Sequence, residues 1–124
     1  MAIFSTGDIT NEVTKALDEL RQEGIVPMAY QIHTIRPFDT KALDLAANQA
    51  HSFVIVDEHL PTASLWGEMT SWKAISNNPV RMIRLGPPDA FAFGNLKRGD
   101  FRADLGYDAE KIADTCRQIY KPRE

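Results

Sequence analysis

Short apolar runs alternate along this chain with longer segments in which apolar residues recur every three or four positions. Short apolar runs bounded by turn residues are typical of strands, and the longer spacing is typical of amphipathic helices. The runs are Ala2 to Ser5, Ile25 to Thr34, Phe53 to Val56 and Val80 to Leu85. The pattern therefore predicts four strands separated by helices.

The helical segments carry residues that can begin and end them. The candidate N-terminal caps are Asp8 or Thr10, Asp39 or Thr40, Thr62 or Ser64, and Asp108. The candidate stops are Gly24, Asn77-Asn78-Pro79 and Gly106, and Pro37 ends the second strand. The third helix is expected to turn Leu65, Met69, Trp72 and Ile75 inward. A loop from Gly86 to Gly99 and a short helix from Asp100 to Leu105 precede the last helix.

Strands that alternate with helices predict right-handed crossovers and a mainly parallel sheet with helices on both faces. The run Phe53 to Val56 is apolar on both faces, which favours a central strand, whereas Arg81 and Arg84 favour an edge for the fourth. The predicted fold is a three-layer α/β/α domain with strand order 2-1-3-4, spanning 1–124 as one domain. Its switch point, where such folds bind ligands, lies between the carboxyl ends of strands 1 and 3.

Composition narrows the range of partners that this chain is expected to have. The chain has 124 residues, a net charge of −3 and apolar runs far too short to span a membrane, so no membrane association is expected. The densest basic patch, Lys97-Arg98 with Arg102, is too small to favour a nucleic acid partner. The single cysteine, Cys116, lies on the apolar stripe of the last helix and is expected to be buried, in a cytoplasmic protein.

The first residues have no basic start and only a short apolar run, so no secretory signal is predicted. A strand begins immediately instead, which indicates a chain cut from something longer.

Asp57, Glu58 and His59 follow the central strand and are the candidate chemical site. Consecutive extended residues point to opposite sides, so Asp57 and His59 are the pair expected to converge, and they can act as a general acid and base. The alternative without chemistry is that these are ordinary polar residues at the point where a strand leaves the core, and that His59 caps the next helix.

Other candidates are weaker. Gly7 joins the first strand to the first helix, where a glycine can let backbone N–H groups hold a phosphate. Neither G-x-G-x-x-G nor the lysine-bearing P-loop is present, so a plain turn is favoured. His33 and His51 lie too far from other histidines or cysteines to suggest a metal site. His33 is interpreted as a polar residue at the end of a strand and His51 as a residue at the end of a helix. Trp66 and Trp72 point to different sides of one helix, which makes Trp66 the candidate for an interface.

Five motifs in order carry a family resemblance: "STGD", "IHTIRPFD", "VIVDEH", "GPPDAF" and "LGYDAEKI". Together they resemble the C-terminal domain of transketolase-type, thiamine diphosphate-dependent enzymes, a group that includes deoxyxylulose-phosphate synthase and the β-subunits of 2-oxoacid dehydrogenases.

The resemblance implies a non-catalytic domain that serves domain or dimer assembly, with a regulatory ligand suggested in some members. Thiamine diphosphate and magnesium are implied for the parent enzyme's other domains and none for this chain. Asp57, Glu58 and His59 then serve the loop and a domain contact, with Gly7 and Trp66 at the same possible interface.

Two departures from the family pattern matter. The family usually has "GGLG" where this chain has Ala63-Ser64-Leu65-Trp66. The bulky Trp66 in place of a glycine puts the close approach of a ligand or another domain there in doubt. The family's common additional antiparallel edge strand is missing before residue 1, so an open sheet edge is expected. Two alternatives stay open: a freestanding flavodoxin-like module that binds a small anion or nucleotide near Gly7, Glu58 and His59, and a small acid/base enzyme that uses Asp57 and His59.

Overall fold

A computed structural model describes residues 1–33, 35, 38–59, 64–88 and 98–120. The strands are β1 (Ala2–Ser5), β2 (Met28–Gln31), β3 (Ser52–Val56) and β4 (Arg81–Leu85). The helices are α1 (Thr10–Gln22), α2 (Thr40–Gln49), α3 (Leu65–Ser76), α4 (Arg98–Leu105) and α5 (Ala109–Ile119), and a 3-10 turn over Gly7–Ile9 leads into α1.

The four strands form one parallel sheet in the order β2-β1-β3-β4, as the sequence predicts. Ala2 pairs with Met28 on one side and with Phe53 on the other, and Phe53 pairs in turn with Met82. Phe53 to Val56 are all fully buried, which confirms β3 as a central strand. The fourth strand, with its two arginines, lies at the edge as expected.

The sheet separates two apolar cores, because successive strand residues point to opposite faces. Ile3, Val54 and Val56 face α1 and α5 in a core that also holds Tyr107 and Cys116. The other core packs β1 and β3 against α2 and α3 through Ala2, Phe4, Phe53, Ile55, Leu43, Ala46, Leu65, Met69 and Trp72. Helices on both faces of the sheet make the three-layer α/β/α architecture.

Several predicted caps and stops are confirmed. Asp39 and Asp108 accept hydrogen bonds from the N–H groups of Ala42 and Lys111 and so cap α2 and α5. Gly24 has a φ of +77° two residues after the end of α1, and Asn77 ends α3 in the left-handed conformation at a φ of 53°.

Other details differ from the sequence expectation. The second strand is shorter than Ile25 to Thr34, because β1 offers only four residues for pairing. No side chain caps α1 at Asp8 or Thr10, since the 3-10 turn replaces a free helix start. Ile75 is 85% exposed and not inward, because Trp72 already closes the core at the end of α3. The predictions made for Pro37, Thr62, Ala63 and most of the loop from Gly86 to Gly99 lie outside the described residues.

Candidate functional site

Asp57 is the buried centre of the carboxyl edge, the side of the sheet on which all four parallel strands end. Its carboxylate is fully buried and accepts hydrogen bonds from the N–H groups of His59 (3.1 Å) and Trp66 (3.2 Å). Burial raises the pKa of Asp57, but the nearby Ser64 hydroxyl and these two N–H groups outweigh it, so this pKa lies below its usual value. Asp57 therefore stays ionised and holds the loop residue His59 and the helix residue Trp66 in place.

The same carboxylate caps α3. Trp66 lies in the first turn of that helix, and its N–H group would otherwise have no acceptor inside the helix. Ser64 occupies the cap position, but its side chain forms no cap hydrogen bond. The prediction that Ser64 caps this helix is therefore wrong in detail, because Asp57 takes its place from nine residues before Trp66.

His59 lies beside Asp57, as the sequence predicts. Its ring Nδ1 is 3.1 Å from Oδ1 of Asp57, and its side chain is 67% exposed. The backbone carbonyl of His59 accepts a hydrogen bond from Arg84 Nη2 at 2.9 Å. Main chain and ring are therefore both fixed, although the imidazole faces solvent.

Glu58 points to the other side and binds a guanidinium. Arg102 of α4 donates from Nε to Glu58 Oε2 at 3.2 Å and from Nη2 to Oε1 at 2.6 Å, and the Tyr107 hydroxyl donates to Oε2 at 3.3 Å. Arg102 and Tyr107 are 7% and 1% exposed. Such a two-pronged pair, shielded from water, has far more geometric specificity than a surface ion pair.

Glu12 of α1 extends this contact. Its Oε1 lies 3.9 Å from Arg102 Nη1, and its Oε2 accepts the N–H group of Ala109, the first residue of α5, at 2.9 Å. Burial raises the pKa of Glu12, but the hydrogen bond from Ala109 and the charges of Lys15 and Arg102 lower it below the usual value. Glu12, Glu58, Arg102 and Tyr107, termed here the edge cluster, connect α1, the end of β3, α4 and the start of α5.

The edge cluster corrects one sequence interpretation. The sequence pattern puts Arg102 in a small basic surface patch, but the structure buries it between two carboxylates, and its pKa is raised, chiefly by its hydrogen bonds with Glu58. No local pattern can reveal the pair, because its members lie 44 positions apart. The signals in the sequence are Glu58 and Tyr107, which lie in two of the five family motifs.

Carboxylates occupy the starts of three helices at this edge. Asp39 caps α2, Asp57 caps α3, and Asp108 together with Glu12 serves the first N–H groups of α5. The start of a helix attracts anions, and these sites are where a phosphate group would bind in related architectures. The chain has filled them with its own side chains.

The contacts of these carboxylates within the chain also bear on whether thiamine diphosphate and magnesium can bind at this edge. Among the described residues no group of three or more His, Cys, Asp or Glu side chains can hold a metal ion. The carboxylates nearest the switch point are already bound to backbone N–H groups and to Arg102. Among the described residues, the carboxylates of this edge are therefore committed to contacts within the chain.

Gly7 and Trp66 complete the set of predicted residues. Gly7 has a φ of +72°, and an added Cβ would meet nothing within 4 Å, so glycine serves the backbone turn and not a close contact. Trp66 is half-buried and packs against the core between the sheet and helices α2 and α3. The interface or ligand role of Gly7, Asp57, Glu58, His59 and Trp66 stays a prediction.

Gly86 follows β4 and touches the site from the side. A Cβ there would lie 2.0 Å from the backbone oxygen of Asp57, a distance that no structure tolerates. Glycine is therefore required for β4 to approach the end of β3, which gives the first residue of the "GPPDAF" motif a physical reason.

Fold and site define a three-layer α/β domain whose carboxyl edge is closed by its own ion pairs. The family model of the transketolase C-terminal domain matches residues 1–112, and the chain belongs to that family. Similar curated proteins include 1-deoxy-D-xylulose-5-phosphate synthase of Cytophaga hutchinsonii, 26% identical over 96% of this chain and 19% of the synthase. Another is one subunit of the apulose-4-phosphate transketolase of Phocaeicola vulgatus, 27% identical over 98% of this chain and 38% of that subunit.

A solved structure shares the fold. A split-gene transketolase, described as an "inactive beta4 tetramer", superposes with a TM-score of 0.79 at 19% identity. The superposition covers 94% of this chain and 37% of that chain. This chain thus spans about one-fifth of the length of the matched synthases and under two-fifths of the matched subunits. Its relatives are domains or subunits of larger enzymes.

No helix among the described residues combines the length and the apolar character needed to cross a membrane.

Proposed function

We propose that this chain is the non-catalytic assembly domain of a cytoplasmic, transketolase-type, thiamine diphosphate-dependent enzyme. It stabilises a homodimer of that enzyme and contacts its other domains or subunits. Thiamine diphosphate and magnesium bind to those other domains, and the reaction takes place there.

The observation that carries the proposal is the closed carboxyl edge. Arg102 lies between Glu12 of α1 and Glu58, which directly follows β3, and so it stands beside one of the two strand ends that form the switch point of a doubly wound sheet. A ligand at this position would have to displace a buried, doubly bonded guanidinium. A structural role for these residues therefore has stronger support than a catalytic one.

The family and its relatives support the same proposal. The matched region is the C-terminal domain of its family, and this chain covers only 19% of a matched synthase and 38% of a matched transketolase subunit. A chain of this kind depends on additional polypeptide for activity.

The freestanding anion-binding module has less support. Its binding site would use the helix starts at the carboxyl edge, and carboxylates already occupy those of α2, α3 and α5. A second anion would be repelled there. A thermal shift assay with nucleotides and sugar phosphates is expected to show no rise in melting temperature, whereas saturating ligand would add several kcal/mol to the free energy of unfolding.

Isothermal titration tests the central proposal. The chain alone is expected to bind neither thiamine diphosphate nor magnesium. The polypeptide encoded directly upstream, in the same reading frame or in the neighbouring gene, is expected to bind the cofactor and to become active, or more active, when this chain is added. Micromolar binding of the cofactor by this chain alone would contradict the proposal.

The His59→Ala variant separates assembly from chemistry. At saturating concentrations of this chain, the reconstituted enzyme is expected to keep its kcat, because the imidazole contacts no substrate. A large loss of kcat with an unchanged affinity between the two polypeptides would favour the acid/base role of Asp57 and His59 instead.

A further inference from the structure

We draw no further inference here: the strongest candidate, the open groove of about 950 Å³ at the edge of the sheet where the strands begin, lies among Met1, Val26, His51, Arg81 and Tyr120, and nothing in the described part of the chain shows what covers it.

Discussion

Arg102 of α4 and Glu58 at the end of β3 form a two-pronged, largely buried ion pair with donor–acceptor distances of 3.2 and 2.6 Å. Glu12 and Tyr107 approach the same pair. Four separate parts of the chain therefore meet at one guanidinium, and the position of α4 depends on it.

Arg102→Met is expected to lower the free energy of unfolding by roughly 3 kcal/mol, because it removes the two-pronged partner of Glu58 from a shielded site. Arg102→Lys is expected to recover only part of this loss, since an ammonium group cannot reproduce the two-pronged geometry. Urea denaturation followed by circular dichroism measures both variants.

Arg117→Met is the matched control for that experiment. Arg117 also binds several carboxylates, of Glu19, Glu23 and Asp114, but at the exposed surface between α1 and α5. Exposed ion pairs contribute little to stability, so the loss is expected to be much smaller than for Arg102→Met. Equal losses for the two variants would show that the edge cluster has no special role.

Asp57→Asn is expected to destabilise the chain in a manner that depends on pH. Burial raises the pKa of Asp57, but the Ser64 hydroxyl and the N–H groups of His59 and Trp66 bring it below its unfolded value, so the carboxylate stabilises the fold above about pH 4 and loses this effect as pH falls further. The difference between wild type and variant is expected to be about 1 to 3 kcal/mol near neutral pH and to close below about pH 4.

Denaturation curves at several pH values check this expectation. Glu12, whose pKa is lowered through a different set of contacts, is present in both proteins and cancels from the comparison. A difference that stayed constant down to about pH 3, below the unfolded pKa of an aspartate, would mean that the charge of Asp57 is irrelevant and that only its shape matters.

Gly86→Ala is expected to cost more stability than Gly24→Ala. The added Cβ at Gly86 would lie 2.0 Å from the Asp57 carbonyl oxygen, so the backbone must move, at a cost of at least about 2 kcal/mol. Gly24 has a φ of +77° and open space around it, so alanine there meets only backbone strain of about 1 kcal/mol. Melting temperatures of the two variants give the comparison, and the reverse order would contradict the close approach.

Cys116 is expected to be inert in the folded chain. Burial raises the pKa of its thiol to about 11, and only the thiolate reacts readily. A thiol reagent at about pH 8 should label the native protein far more slowly than the protein in denaturant, where the thiol has its ordinary pKa. Rapid labelling of native protein would mean that α5 opens frequently.

The sequence is sufficient for the architecture because its signals are local. Apolar runs such as Phe53 to Val56, the caps Asp39 and Asp108 and the stop at Gly24 each act within a few residues, and each is confirmed. The order of the strands follows from the apolar third strand and the arginines of the fourth.

The site is only partly predictable because its contacts are distant in sequence. The approach of Asp57 to His59 follows from alternation along two residues and is confirmed. The pairing of Glu58 with Arg102 and of Glu12 with Ala109 joins residues that no spacing rule connects. The groove lined by Met1, Val26, His51, Arg81 and Tyr120 arises in the same way, from segments that meet only in the folded chain.

Every strand pairing in this sheet is parallel, and the central one joins Ala2 to Phe53. Parallel neighbours cannot meet through a tight hairpin, so each pairing must wait for a long stretch of chain to be synthesised. During translation β1 emerges before β3 and remains without this central neighbour until β3 has left the ribosome. Apolar β1 is thus exposed to misassociation over that interval, and chaperone dependence is expected to be greatest for nascent chains that have not yet reached β3.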